Sequence, residues 1–165
     1  MYSIKRSFKW VRNRLVSNQS SLLPSESFVL TMFLVEKVIR RVLLQLIISA
    51  GYPTDNAKEI LNNIRGLESL KNNWKLYDPE FRSLTSVVPS RTWQIIQESA
   101  GLRNELIHGA GHQSQKVYKQ KGEELFDALR DIRTAFDNTY GYSGWKGLKL
   151  RTSTALHTDP KVQSQ

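Results

Sequence analysis

Apolar residues recur at three- and four-residue intervals along most of the chain, which is the spacing of one face of an α-helix. The longest such stretch covers residues 25–50, where polar side chains fall at steps of about four. These polar positions are Glu36, Lys37, Arg40, Arg41, Gln45 and Ser49. The pattern predicts one long helix that is buried on most of its circumference, in a core or in a dimer interface. Glu36 and Arg40 have the spacing of a solvated ion pair on its polar stripe.

Glycine and proline residues divide the following part of the chain into shorter predicted helices. Gly51 and Pro53 end the long helix. Asp55 is a candidate N-cap for the next helix, because an aspartate side chain can accept hydrogen bonds from the first free backbone N–H groups. Gly66 separates that helix from a further stretch that reaches Tyr77.

The second half of the chain predicts two more helices after a loop over residues 78–89. Ser90 is a candidate cap for a helix that Gly109 breaks, and residues 114–138 carry apolar side chains that share one helical face. No strand pattern and no internal repeat accompanies them. The sequence therefore predicts an all-α bundle of four or five helices over residues 20–140.

The net charge of +9 is concentrated at the two ends of the chain. Residues 1–19 predict a basic amphipathic helix whose aromatic side chains either stack on RNA or pack against the bundle. Residues 141–165 predict a basic aromatic turn, with Trp145 folded back onto the bundle, and then a loose tail. Such basic ends favour RNA, DNA or an acidic protein as partner, or serve solubility alone. The candidate RNA-binding residues are Lys146, Lys149 and Arg151.

The sequence lacks the features of disulfide-bonded, metal-binding, secreted and membrane-spanning proteins. The chain has no cysteine, so disulfides and thiolate metal sites are absent, which is compatible with a cytoplasmic protein. No apolar segment with a small-residue cleavage site follows the basic N-terminus, so no signal peptide is expected. The most apolar run, residues 28–50, is interrupted by charged side chains and is not expected to span a membrane. No cluster of side chains suggests a metal site.

One short stretch, RNELIH, gathers chemistry-bearing side chains just before the break at Gly109. Asn104 and His108 are four residues apart and share one helical face, whereas Arg103 lies about 140° around the helix from His108. A histidine can move a proton from a ribose 2′-hydroxyl, and an arginine fork fits phosphate oxygens. An asparagine can orient either group. These residue types favour metal-independent cleavage of RNA, because DNA lacks the 2′-hydroxyl.

The same stretch resembles the signature of the HEPN-domain family, whose members are small α-helical bundles. Their RNases carry an arginine, then four to six residues, then a histidine, commonly with a polar residue directly after the arginine. Arg103, Asn104 and His108 match this order with four intervening residues. The long apolar helix near the start and the long helix after the motif are also similar, so the likeness covers about residues 20–140. It implies a HEPN-like up-and-down bundle with these three residues as catalytic groups.

The resemblance also implies a mechanism and partners. HEPN RNases are usually homodimers in which two motif helices form one composite active site. They need no cofactor and leave a 2′,3′-cyclic phosphate and a 5′-hydroxyl. Family members often act as toxins paired with a small nucleotidyltransferase-like antitoxin, and others serve in anti-phage defence or cleave tRNA. Some members only scaffold, so the alternative function is a non-catalytic helical module that binds a partner protein or nucleic acid.

Ordinary structural roles are open for the same residues. His108 alone fits a histidine at a helix C-terminus, where cations interact favourably with the last carbonyl groups. Arg103 fits a surface arginine paired with Glu98 or Glu105. The loose motif also matches residues 151–157, which begin with arginine and end with histidine, but those residues belong to the predicted tail and not to a helix.

Overall fold

The structure, a computed structural model, describes residues 23–109 and 113–156 together with the single positions Lys9 and Asn13. Within these residues the chain forms helices and no strand, which confirms the predicted all-α class for that part of the molecule. The helices are α1 (Pro24–Ser49), α2 (Thr54–Asn63), α3 (Gly66–Tyr77), α4 (Leu84–Val87), α5 (Ser90–His108) and α6 (Gln115–Tyr140). Lys9 and Asn13 are helical and exposed, and the remainder of the predicted basic helix lies outside the described residues.

Helix α1 is the central element of the bundle and contacts α2, α3, α5 and α6. Many of its apolar side chains, including Phe28, Val35, Val42 and Ile47, are completely buried. The predicted helix over residues 25–50 is confirmed to within one residue at each end. No described helix combines the length and apolarity that crossing a bilayer requires.

Helix α6 packs its apolar face along α1, as the pattern over residues 114–138 predicts. Leu125, Ile132 and Phe136 on this face are fully buried. The ring of Phe136 stacks on Trp74 of α3 with 5.3 Å between centroids, so α3 is joined to the same core. Burial of each such side chain contributes about 1.5–3 kcal/mol to folding, and this stabilises the packing of α6 on α1.

The loop and the caps differ from the sequence prediction in detail. Residues 78–89 contain the one-turn helix α4, whose N-cap Ser83 accepts a hydrogen bond from the backbone of Ser86. Asp55 is not the N-cap of α2, because the helix begins one residue earlier, at Thr54. Ser90 is likewise the first residue of α5 rather than its cap. In both helices a proline occupies the N-cap, and no side chain bonds the free N–H groups there.

The polar stripe of α1 binds neighbouring elements instead of forming a solvated row of ion pairs. Arg40 donates hydrogen bonds to the backbone oxygens of Leu61 and Ile64, at 3.0 and 2.5 Å, and so satisfies carbonyls at the end of α2. Arg41 donates to the hydroxyl of Tyr142. The expected pairing of Glu36 with Arg40 is therefore wrong, because the guanidinium of Arg40 is drawn to the C-terminus of α2.

The segment after α6 is held against α1 and α2 as far as Leu156. The backbone N–H of Lys149 donates to the side-chain oxygen of Gln45 at 2.8 Å. Arg151 and Thr54 exchange two hydrogen bonds, each 2.8 Å long. The expectation of a loose tail is thus wrong for residues 151–156, while residues 157–165 lie outside the described part.

Trp145 folds back onto the bundle, as expected from the sequence. Its ring is packed against the core, and the guanidinium of Arg133 lies 5.2 Å from the ring centroid. The preceding Gly144 has φ of 81°, and a Cβ at this position would lie 3.3 Å from the carbonyl oxygen of Val38. Glycine is required here because the turn needs both a positive φ and a close approach to α1.

A buried carboxylate organises the loop between α3 and α4. Asp78 is 2% exposed and accepts hydrogen bonds from the hydroxyl of Tyr140, at 2.5 Å, and from the backbone N–H groups of Glu80 and Arg82. Burial alone would raise the pKa of Asp78, but the hydrogen bonds from Tyr140 and Arg82 outweigh burial and hold this pKa below its usual range. Burial and the bond to Asp78 raise the pKa of Tyr140, so its hydroxyl stays a donor.

We expect Asp78→Asn to lower the free energy of unfolding by about 2–3 kcal/mol near neutral pH, because hydrogen bonds to a charged group are the ones weakened. The pKa of Asp78 is lowered in the folded state, so this stabilisation is present above the unfolded pKa of about 3.9 and is lost as pH falls through the folded value. Urea denaturation of both proteins near pH 7 and below about pH 4 measures the difference. A difference that does not shrink in acid would contradict the role of the charge.

Candidate functional site

The side chain of Arg103 extends from α5 to α1 and pairs with Glu36. One terminal nitrogen of the guanidinium lies 2.7 Å from a carboxylate oxygen of Glu36, and the two side chains are only 14% and 16% exposed. The expected pairing of Arg103 with Glu98 or Glu105 is therefore wrong. Glu98 instead contacts Lys121 of α6 at 3.1 Å. Because it is largely shielded from solvent, the Arg103–Glu36 pair fixes the position of the guanidinium firmly.

Asn104 completes a three-residue network around the guanidinium. Its side-chain oxygen accepts hydrogen bonds from two further nitrogens of Arg103, at 3.0 and 3.3 Å. Three of the five N–H groups of the arginine are then used, one by Glu36 and two by Asn104, so two are left for another acceptor. The amide N–H₂ of Asn104, which is exposed, is also available. This edge of the network can receive a phosphate oxygen.

His108 is the last residue of α5, and its side chain is exposed. The helix is closed by Gly109, which has φ of 68° and donates its backbone N–H to the carbonyl of Glu105. The imidazole makes no hydrogen bond to any described residue, and Glu105 forms no ion pair with it there. The glycine thus caps the helix, and the imidazole of His108 is exposed at its end.

Two exposed apolar side chains, Phe33 and Ile107, lie beside Arg103. Phe33 is 50% exposed and its ring centroid lies 5.7 Å from the guanidinium carbon of Arg103. Ile107, one helical turn after Arg103, is 55% exposed. We call Phe33, Arg103, Asn104, Ile107 and His108 the α5 patch. No hydrogen bond links His108 with Arg103 or Asn104 among the described residues, and Arg103 and His108 lie about 140° apart around the helix.

The role of Glu36 is the part of this site that the sequence interpretation missed. A carboxylate on the mostly apolar helix α1 requires a cationic partner once it is shielded from water. The sequence could therefore have indicated that Glu36 binds a cation. Several cations satisfy it in the sequence, with Arg40 the nearest at helical spacing. Only the packing of α5 against α1 selects Arg103.

The predicted RNA-binding residues do not join the α5 patch. Lys146 and Lys149 are exposed and Arg151 is half-buried, and all three lie in the segment that follows α6. The backbone of Lys149 contacts α1 at Gln45, nine residues beyond Glu36. At 1.5 Å per residue this is about 13 Å farther along the helix. Lys149 therefore lies well apart from the Arg103–Glu36 pair along α1.

His112, four residues after His108 in the sequence, lies outside the described residues. Comparison of the chain with known protein families, with curated proteins and with solved structures finds no match.

Proposed function

We propose that this protein is a metal-independent endoribonuclease of the HEPN type that acts as a homodimer, with two α5 patches facing each other around one composite active site. The observation that carries the proposal is the guanidinium of Arg103, held by Glu36 and Asn104 with two N–H groups unused, on the helix that ends at the exposed His108. The resemblance of RNELIH to the HEPN signature adds to this geometry. A role as a toxin, silenced by a nucleotidyltransferase-like antitoxin, follows from the resemblance alone.

In the proposed reaction His108 of one chain takes the proton from the ribose 2′-hydroxyl, and the oxygen attacks the adjacent phosphorus. The bond from phosphorus to the 5′-oxygen breaks, and a second protonated His108 donates a proton to that leaving oxygen. The products are a 2′,3′-cyclic phosphate and a 5′-hydroxyl. Arg103 stabilises the negative charge that develops on the phosphate oxygens, and Asn104 orients them.

A second copy of the chain supplies what one patch lacks. One imidazole cannot easily act as base and acid in the same step, and a symmetric pair of patches presents two. Phe33 and Ile107 offer the exposed apolar area that the centre of a dimer interface buries. Both residues flank Arg103, so an interface that covers them brings the two motifs together.

The reaction class is tested with purified protein and RNA in the presence of EDTA. We expect cleavage that leaves 2′,3′-cyclic phosphate ends, because the proposed chemistry uses only side chains and the substrate's own hydroxyl. An otherwise identical substrate with 2′-deoxyribose should remain intact. Products with 3′-hydroxyl ends, or activity that disappears with the chelator and returns with a divalent metal, would contradict the mechanism.

We expect Ile107→Glu to shift the protein from dimer to monomer and to lower cleavage in parallel, since a carboxylate at the centre of an apolar interface must lose its water. The dimer dissociation constant should rise more than about tenfold. Size-exclusion chromatography with light scattering measures this shift. Leu76→Glu is the matched control for the oligomeric state, because Leu76 is 66% exposed on α3, outside the α5 patch. A wild-type monomer that cleaves RNA at full rate would rule out the composite site.

The second candidate function is a non-catalytic helical module that binds a partner protein or nucleic acid. The observation in its favour is the Arg103–Glu36 contact, which ties α5 to α1 and gives the arginine a structural task. Under this function, RNA is bound without product, and substitution of His108 changes nothing but binding.

A further inference from the structure

A cavity of about 480 Å³ opens between the C-terminal half of α1, the end of α3 and the end of α6. Four aromatic side chains line it: Tyr77, Phe81, Tyr140 and Tyr142. Aliphatic groups of α1 form its floor, among them Val42 and Leu46. A volume of this size falls within the range of about 300–1,000 Å³ in which proteins bind small molecules, and an aromatic lining suits a flat, largely apolar ligand group.

In the loop beside the cavity, Phe81 has a backbone conformation that a phenylalanine rarely adopts. Phe81 has φ of 56°, in the left-handed region that bulky residues avoid, and its side chain is 69% exposed. Its backbone N–H donates to the carbonyl of Asp78, whose carboxylate binds the backbone on either side, at Glu80 and Arg82. A strained residue that exposes a large apolar ring beside a cavity points to a ligand that covers the ring.

A second cavity, of about 350 Å³, adjoins the first and shares Gln45 and Ser49 with it. Lys149 and Arg151 line this second cavity. Neither side chain forms an ion pair with a described residue, so their positive charges are not neutralised there. The aromatic cavity therefore has a cationic cleft directly beside it, with the exposed Ser49 between the two.

We propose that the two cavities together bind one nucleotide unit, with the base among the aromatic rings and the phosphate between Lys149 and Arg151. Bases stack on aromatic side chains whatever their sequence, and lysine and arginine are the usual partners of phosphate. The hydroxyl of Ser49 lies where a ribose would cross from one cavity to the other. The unit is either a free mononucleotide or one residue of an RNA strand. The site does not depend on cleavage at the α5 patch.

Binding is tested on the intact protein by following its tyrosine and tryptophan fluorescence. The probes are the four ribonucleoside 5′-monophosphates, the matching nucleosides, and a short 2′-O-methyl oligonucleotide that the proposed RNase cannot cleave. We expect the monophosphates or the oligonucleotide to bind, and the nucleosides to bind more weakly. Tighter binding of the oligonucleotide assigns the site to RNA, and tighter binding of a monophosphate assigns it to the free nucleotide.

Two substitutions separate the base site from the phosphate site. Phe81→Asn removes the ring, and asparagine tolerates a positive φ, so the fold is kept. We expect this substitution to weaken the binding of nucleotides and of nucleosides by the same factor, at least fivefold. Lys149→Ala should weaken the binding of nucleotides severalfold and leave the binding of nucleosides unchanged. Lys119→Ala, at an exposed lysine of α6, is the matched control and should change neither.

Three results would overturn the proposal: no binding of any probe, binding unchanged by both substitutions, or an effect of only one of them. Because the readout is binding, the site can be confirmed in a protein that cleaves no RNA. Conversely, RNA cleavage at the α5 patch can survive the failure of this site.

Discussion

Replacing His108 by alanine is expected to lower the rate of RNA cleavage by about 10²–10⁴-fold, the usual contribution of a general acid or base. The fold should not change, because the side chain is exposed and makes no hydrogen bond to a described residue. Substitutions at such positions typically alter the free energy of unfolding by less than about 0.5 kcal/mol. Single-turnover cleavage of a labelled RNA, together with urea denaturation of both proteins, measures the two effects separately.

The control for this substitution is His157→Ala. The stretch from Arg151 to His157 fits the loose arginine–histidine spacing as well, so it is the natural competitor of the proposed motif. Full activity in His157→Ala and loss in His108→Ala would assign the chemistry to α5. Equal activity in wild type and His108→Ala would remove the nuclease proposal and favour the binding module.

The toxin hypothesis is tested by the same substitution in cells. We expect expression of the wild-type chain to arrest growth and His108→Ala to relieve the arrest, because only RNA cleavage is removed. Arrest that persists in an inactive but folded variant would contradict toxicity through RNA cleavage. A neighbouring gene for a nucleotidyltransferase-like protein, co-expressed, should also relieve it.

The helices were accessible from the sequence because their signals are local. The apolar spacing over residues 25–50 and 114–138 depends only on the 3.6-residue period, and both helices occur within two residues of the predicted ends. The ends of α5 and α6 also follow from local geometry, since the glycines that cap them, Gly109 and Gly141, adopt positive φ. The docking of residues 151–156 was not accessible, because it depends on hydrogen bonds to Thr54 and Gly51 about a hundred positions earlier.

The site was accessible only in part for the same reason. The exposure of His108 follows from its place at a helix end, before a glycine. The partner of Arg103 does not, because Glu98, Glu105 and Glu36 all carry the same charge, and tertiary packing alone brings Glu36 to the guanidinium. The strained Phe81 and its cavity had no sequence signal, since the left-handed backbone there is imposed by the buried Asp78.

Replacing Arg103 by alanine is expected to reduce cleavage by about 10²–10³-fold, the cost of removing one group that stabilises transition-state charge. Unlike the His108 substitution, it should also destabilise the fold, by about 1–3 kcal/mol, because Glu36 is then left largely shielded without its hydrogen-bond donor. A loss of activity in this variant alone therefore does not separate catalysis from structure. Denaturation and single-turnover rates must be compared across a set of variants.

The decisive variant combines Glu36→Gln with Arg103→Gln. The two neutral amides leave no unpaired charge between α1 and α5, so most of the stability lost in Arg103→Ala should return. If Arg103 acts on the phosphate, cleavage by the double variant stays as low as in Arg103→Ala. Glu36→Gln alone keeps the guanidinium but holds it less firmly, so it should lose much less cleavage activity. If the arginine only ties α5 to α1, activity returns with stability in the double variant, and the assignment of Arg103 to the chemistry is wrong.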